Sequence, residues 1–256
     1  MSDWNPAQYL AFADERARPA LDLIARLPNR SPKLIHDVGC GPGNSTGFLA
    51  EAFPMAKLTG IDASHAMIDK AKKAVPKAKF SVGDASLWSP SPEADLVFSN
   101  ALFQWVPEHS RHLARILEAL KPGATLAVQM PDNLREPSHV EMAKTAIKPA
   151  YAVKLANAVK ARSPLLSAQG YHQILRPLCS RFDIWRTSYH HLLKGQQGII
   201  DMLSSTGLRP FLDPLTLSER EAYLADYKKA LRQHYPEMDD GLVLFPFPRL
   251  FILAVK

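Results

Sequence analysis

A chain of 256 residues can bury one large core, and its 46% hydrophobic and 22% charged content excludes wholesale disorder, collagen-like repeats and disulfide-rich scaffolds. The net charge of +6 is uneven, with 14 Lys/Arg against 13 Asp/Glu in residues 1–130 and 17 against 12 in residues 131–256. The basic half has no clustered Lys/Arg interleaved with aromatics, so it fits an anionic small molecule better than nucleic acid. Cys40 and Cys179 lie far apart with no ligand-like spacing, which points away from a disulfide framework or a metal site. No apolar run reaches the roughly 18 residues that cross a bilayer, and the opening MSDWNPAQYL lacks the pattern of a signal peptide. The expectation is one cytoplasmic domain over 1–256, without membrane or obligate protein partner.

In chain order, WNPAQYLAFADERARPALDLIARL (4–27) reads as an amphipathic helix opening after Pro6. From Leu34 to Val128, short apolar runs alternate with helical stretches, the pattern of βαβ units on a parallel sheet. LIHDV (34–38), KLTGID (57–62), KFSVGD (79–84), ADLVFSN (94–100) and TLAVQM (125–130) are the predicted strands. Ser45–Phe53, Ser64–Ala74 and His109–Leu120 are the covering helices, with Ser64 as an N-cap and Lys121-Pro122-Gly123 as a stop. Beyond residue 130 the spacing predicts helices over 138–161 and 217–235 and strands over 181–193 and 249–256. The fold class is thus α/β, doubly wound, with added helices as a cap within 1–30, 133–178 and 195–236.

The chemistry concentrates in IHDVGCGPGNSTGFLA (35–50). Asp37 ends the first strand, and Gly39, Gly41 and Gly43 form the turn before a helix, letting the backbone bend tightly and approach a ligand. A nicotinamide fingerprint is G-x-G-x-x-G with its glycines facing a pyrophosphate. Here the third glycine comes one place early and an acid precedes the first. That acid would repel a pyrophosphate but can hold an ammonium, directly or through backbone and water, so S-adenosylmethionine fits where NAD does not. Asp62, with Ala63 after it, ends the second strand, where a carboxylate can accept from both ribose hydroxyls. Asp84 ends the third; its carboxylate could receive the adenine amine, with the Ala85 N–H at a ring nitrogen and Leu87 or Trp88 beside the ring. Taken singly, Asp62 reads as well as a helix cap, and Asp84 as a turn residue. Three such strand ends in one βαβαβ unit point together to one cofactor.

DVGCGPG, GID and GDA resemble the S-adenosylmethionine-dependent methyltransferases of the seven-stranded Rossmann-like class. That resemblance implies a mostly parallel sheet of order 3-2-1-4-5-7-6, with 181–193 and 249–256 as the last two strands. Over nearly the whole chain, WNPAQYLAFADERARPA (4–20), DVGCGPGNST (37–46), GIDASHAMI (60–68), QMPDN (129–133), DIWRTSYHH (183–191), TGLRP (206–210) and FPRLF (247–251) are similar to the bacterial trans-aconitate 2-methyltransferases. The likeness implies methyl transfer from S-adenosylmethionine to one carboxylate of a small anionic tricarboxylic acid.

A carboxylic acid is ionised at neutral pH, so no general base is needed and no catalytic dyad is expected. The other carboxylates need partners, for which the planar fork of Arg is suited. Candidates are Arg16, Arg18, Arg135, Arg186, Arg209 and Arg249, with Trp4, Tyr189 and His190 as accessory donors. For any one of them a solvated charge is the plainer reading, but Arg209 and Arg249 lie in apolar or Pro-flanked motifs where an unpaired charge is costly. Arg18 could meet the methionine carboxylate while Tyr9 packs on the sulfonium. Asn100, Gln104 and Trp105 follow the fourth strand at the edge where ligands lie in such sheets, Asn100 toward the cofactor and the other two toward the acceptor. His190 and His191, neighbours on a strand, point to opposite faces and cannot share a metal. Competing readings are a methyltransferase acting on another acid, an amine or a phenol, a nucleic-acid modifier, a non-catalytic cofactor-binding module and a nicotinamide oxidoreductase.

Overall fold

The computed structural model describes residues 13–204 and 206–256, with side chains from residue 17 onward. Seven strands form one sheet of order β3-β2-β1-β4-β5-β7-β6. They are β1 (Leu34–Val38), β2 (Lys57–Asp62), β3 (Lys79–Val82), β4 (Leu96–Asn100), β5 (Thr125–Pro131), β6 (Arg181–Lys194) and β7 (Leu242–Val255). The first five are parallel, and β7 runs antiparallel to β5 from Thr125↔Val255 to Pro131↔Arg249. Burial explains the sequence patterns. The central strand TLAVQMP is buried at every position, because both faces are covered, whereas the edge strand KFSV has no buried residue and begins on a lysine.

The described residues fall into two compact units. The sheet unit comprises Arg16–Pro131, Leu165–Thr187 and Arg249–Lys256. Its helices are α1 (Ala13–Ala25), α2 (Asn44–Ala52), α3 (His65–Ala74) and α4 (His109–Ala119), with a later helix, Ala168–Leu175, that also belongs here. Leu113, Ile116 and Leu117 of α4 bury with Val97, Leu126, Val128, Met130, Tyr171 and Leu175 in one core. Ser64 caps α3, its hydroxyl accepting from the Met67 N–H at 3.4 Å, as its sequence position predicts.

The second unit holds Asp132–Pro164 and Ser188–Pro248. In it lie α5 (Pro137–Ala146) and α6 (Ala152–Lys160); the Ala168–Leu175 helix is α7, and α8 (Gly195–Ser204), α9 (Arg209–Leu212) and α10 (Leu217–Leu231) complete the second unit. Met142, Leu155, Ile199, Leu208, Tyr223, Tyr227 and Phe245 share its core. Tyr223 and Tyr227 of α10 donate their hydroxyls to the Met142 and Ser138 carbonyls of α5, both at 2.9 Å, so each buried phenol is satisfied. A capping box starts α10, Thr216 and Glu219 each bonding the other's backbone N–H.

Two expectations change. The single helix over 138–161 is two helices, because Pro149 disfavours helical backbone at the residue before it and supplies no N–H. The last strand begins at Leu242 rather than 249; Pro246 and Pro248 lie in the stretch before β7 pairs with β5, where no ladder bond to β5 is lost.

Candidate active site

Asp37 is fully buried at the end of β1. Its Oδ2 accepts from the Ser45 and Thr46 hydroxyls of α2 at 2.7 and 2.6 Å, while its Oδ1, also buried, has no hydrogen-bond partner. Burial pushes the carboxyl up to about 6 against the lowering by the Thr46 and Ser45 hydroxyls, and the nearby Asp62 charge adds to the rise. A buried carboxylate with one oxygen unsatisfied is costly in isolation and suits a cationic partner.

The loop after it is shaped by left-handed backbone at Gly39 (φ +76°) and Gly41 (φ +53°). A side chain at Gly39 would meet Leu102 at 2.7 Å, whereas one at Gly41 would meet nothing within 4 Å. Gly39 is therefore needed for packing, and Gly41 keeps an open approach to the backbone. Asp62 ties the loop to β2: its Oδ2 accepts from the Gly41 N–H at 3.0 Å and its Oδ1 from the Ser64 N–H at 2.9 Å. Both oxygens retain lone pairs for a diol. Ala63 is exposed beside it. Asp84 follows β3 and closes a turn by accepting from the Ser86 N–H at 2.8 Å; the Ser86 hydroxyl first, and then this N–H, hold its carboxyl below the ordinary value. Ala85 is buried, Leu87 exposed, and Trp88 stands edge-on to His36 at 5.2 Å. The cysteine in the loop, Cys40, is buried, and burial together with the Asp37 and Asp62 charges pushes its thiol well above the ordinary range, so it is no nucleophile.

Register places these groups on one face of the sheet. Asp37 lies level with Gly60, two residues before Asp62, and with Phe98, two before Asn100. Asn100 pairs with Gln129, and Gln129 with Phe251. Arg249, paired with Pro131, follows on the same face of β7 and is 7% exposed. Trp185 stacks on Phe251 at 4.9 Å, with the Arg26 guanidinium 4.4 Å above it. After β4, Gln104 is buried on a one-turn 3-10 helix and Trp105 is 38% exposed.

The sheet unit thus brings together Asp37, Gly39, Gly41, Asp62, Ala63, Asn100, Gln104, Trp105 and Arg249, with Asp84 and Ala85 at the next strand end. Arg18 and Arg186 belong to the same unit and are exposed. Tyr189, buried, and Arg209 belong to the second unit, as do exposed His190 and Arg135. Arg209 is exposed and pairs with Asp213 at 3.3 Å, so the burial argument made for it from its apolar motif holds for Arg249 instead. Trp4 and Tyr9, and the side chain of Arg16, lie outside the described residues.

Sequence reading missed the Ser45 and Thr46 hydroxyls, whose signal was their place eight and nine residues after the acid. It also missed Arg162, half-buried in the second unit, whose Nη1 donates to Asn133 Oδ1 at 3.3 Å and which desolvation lowers to about 10. Nearby His139 is pushed down to about 3, first by burial and then by the Arg162 charge. Among the described residues no group of His, Cys, Asp and Glu could hold a metal, and no helix is long and apolar enough to cross a membrane.

Comparison with known proteins bears on this geometry. The family model for a methyltransferase domain matches residues 35–123, the stretch from β1 through α4. A trans-aconitate 2-methyltransferase of Rhodopseudomonas palustris is 48% identical over 256 residues, all of both chains. Another, of Methylobacterium nodulans, is 47% identical over 99% of this chain and 98% of its own. The chain belongs to the trans-aconitate 2-methyltransferase family. Among solved structures, the YcgJ protein of Bacillus subtilis shares the fold with a TM-score of 0.61 at 13% identity, covering 94% of this chain and 98% of that one. A phosphoethanolamine N-methyltransferase of Haemonchus contortus, solved with S-adenosylhomocysteine, has a TM-score of 0.56 at 18% identity over 93% of this chain and 52% of its own. This family member is therefore a methyltransferase on a Rossmann-like sheet, with the strand order that the resemblance implied.

Proposed function

We propose that the chain transfers a methyl group from S-adenosylmethionine to one carboxylate of trans-aconitate, giving the monomethyl ester and S-adenosylhomocysteine, in the cytoplasm and without nucleic acid. Full-length identity to enzymes of that name supports the acceptor. The observation that carries the cofactor is the unsatisfied, buried Oδ1 of Asp37 beside the open face of Gly41. An amino-acid ammonium fits that oxygen, and the Gly41 loop admits the rest of the methionine moiety.

When bound, the sulfonium supplies an electrophilic methyl group. Asp37 would hold the ammonium, with Ser45 and Thr46 fixing its carboxylate by their hydroxyl bonds, and Asp62 would accept from the ribose diol. Asp84, Ala85, Ala63 and Asn100 would complete the cofactor contacts, with Arg18, exposed in the same unit, for the methionine carboxylate. Bound there, S-adenosylmethionine would give its methyl to a carboxylate oxygen and leave as S-adenosylhomocysteine, so that no residue of the chain would need to move a proton. The protein's task is in-line placement, which can contribute roughly 7 to 11 kcal/mol, and exclusion of water from the oxygen. Arg249, buried and level with the end of β5, is the foremost anchor for a carboxylate that does not react, with Trp105, Gln104 and Arg186 of the same unit as further acceptor contacts.

The test is methyl transfer from labelled S-adenosylmethionine to trans-aconitate, cis-aconitate, citrate, a fatty acid and bulk tRNA, reading base-labile ester. Labelling of trans-aconitate above the others is the expected result. Preference for another acceptor would overturn the substrate, and no labelling despite cofactor binding would favour a non-catalytic module.

A further inference from the structure

Gln129 stands alone as an amide in the buried run TLAVQMP, where burial alone would call for an apolar residue. It is fully buried, and neither its Nε2 nor its Oε1 has a hydrogen-bond partner. Two further amides lie at the same sheet edge with one orphaned atom each, Asn100 Oδ1 and Gln104 Oε1. Hydrogen bonds through the backbone of Ala101 lock the three together. Asn100 pairs with Gln129 across the β4–β5 ladder, the Ala101 N–H donates to the Gln129 carbonyl at 2.9 Å, and Gln104 Nε2 donates to the Ala101 carbonyl at 2.5 Å. Ala101 is held at φ +59°, a left-handed conformation that a non-glycine residue avoids unless its surroundings impose it. Buried amides left unsatisfied, tied by a strained residue, at the carboxyl end of adjacent parallel strands are the signature of a site built for a polar ligand rather than for stability.

The ligand's chemistry follows from the charge of this edge. During methyl transfer the attacking carboxylate loses its negative charge, so a cation paired with it would stabilise the starting state more than the transition state and raise the barrier. A bidentate arginine would also occupy both oxygens. A neutral amide can orient one oxygen by a single hydrogen bond and leave the other free, at little electrostatic cost. Gln129 provides such a donor whichever way its amide is turned, and the aromatic pair Phe251 and Trp185 stands next to it on the same face.

We propose that Gln129, supported by Asn100 and Gln104 at the carboxyl edge of β4 and β5, binds the carboxylate that is methylated through neutral amide hydrogen bonds, separating it from the arginines that hold the other carboxylates. This assignment rests on the carboxyl-methyltransferase reading above. Gln129→Met keeps length and volume but removes the amide. It should lower kcat/KM for the acid about 10- to 100-fold while changing the dissociation constant for S-adenosylmethionine less than about twofold. Freed of two unsatisfied polar atoms, the ligand-free variant should melt higher by roughly 2 to 8 °C, which a residue needed only for the fold would not do. Gln129→Glu, of the same length but able to carry a charge, should lose more activity than Gln129→Met. Unchanged kcat/KM, a parallel loss of cofactor affinity, a lowered melting temperature in Gln129→Met, or better turnover by Gln129→Glu than by Gln129→Met would each overturn the assignment. Failure of the wild type to label any acid would instead sink the underlying reading, and this assignment with it.

Discussion

Replacing Asp37 with Asn should make the ligand-free protein more stable and its cofactor binding weaker. The folded carboxyl titrates near 6 instead of 3.8 because it is buried. A raised value means that the stability this group contributes is complete below about pH 4 and is lost as pH rises through about 6. By neutral pH the buried charge then costs about 3 kcal/mol relative to an unfolded chain. Asn removes that charge and keeps the volume. Weakened bonds from the Ser45 and Thr46 hydroxyls return part of the gain, each worth about 1 kcal/mol. The net stabilisation at pH 7.5 is about 1 to 2 kcal/mol, or roughly 2 to 8 °C in melting temperature. Against this, the ammonium loses a charged partner worth about 1.5 to 3 kcal/mol, so S-adenosylmethionine should bind about 10- to 100-fold more weakly. Titration calorimetry with S-adenosylhomocysteine from pH 5 to 8 adds a second readout: wild-type affinity should fall as pH drops below about 6, where Asp37 takes up a proton, and the variant should be flat across that step. A variant that is less stable at pH 7.5 and binds the cofactor as tightly as the wild type would refute this account of the loop.

The two loop glycines should respond differently. Gly39→Ala drives a methyl to 2.7 Å from Leu102 in a left-handed backbone, so thermal unfolding should register a loss of about 2 to 4 kcal/mol. Gly41→Ala meets no neighbour and should cost only about 1 to 2 kcal/mol from its backbone, while cofactor affinity falls well beyond what that loss explains; equal effects of the two on stability would count against the open approach. In the second unit, His139 is held neutral with its value near 3, below the ordinary 6.5. A lowered value in a base means that its contribution is intact above about pH 6.5 and is lost as pH falls toward 3, by about 1.4 kcal/mol per pH unit. Denaturant titrations at pH 7 and 5 should therefore show His139→Gln losing about 2 kcal/mol less than the wild type over that interval, and identical losses would remove His139 as the acid-sensitive group.

The alternation of apolar runs and helical stretches from Leu34 to Val128 was enough to place five parallel strands, since buried parallel strands must be apolar throughout and their crossovers helical. Asp37, the glycines and Asp62 were legible for the same local reason: acids at strand ends and glycines in a tight turn have few other uses so close together. Resemblance, rather than periodicity, supplied the order of the last two strands. What no local pattern could reveal is what each polar group meets. Ser45 and Thr46 looked like ordinary first-turn helix residues until the fold set them on Asp37. Arg209 looked buried in its motif, yet α9 turns it to solvent beside Asp213, while Arg249 is covered. Gln129 drew no notice within the predicted strand, and only the ladder shows it beside Asn100 with no partner for either end. Sequence determines which segments must bury and how the chain turns, because those depend on neighbours along the chain. Hydrogen-bond satisfaction and charge burial depend on neighbours across strands, so only the tertiary structure decided which polar side chains are spent on the fold and which are left for a ligand.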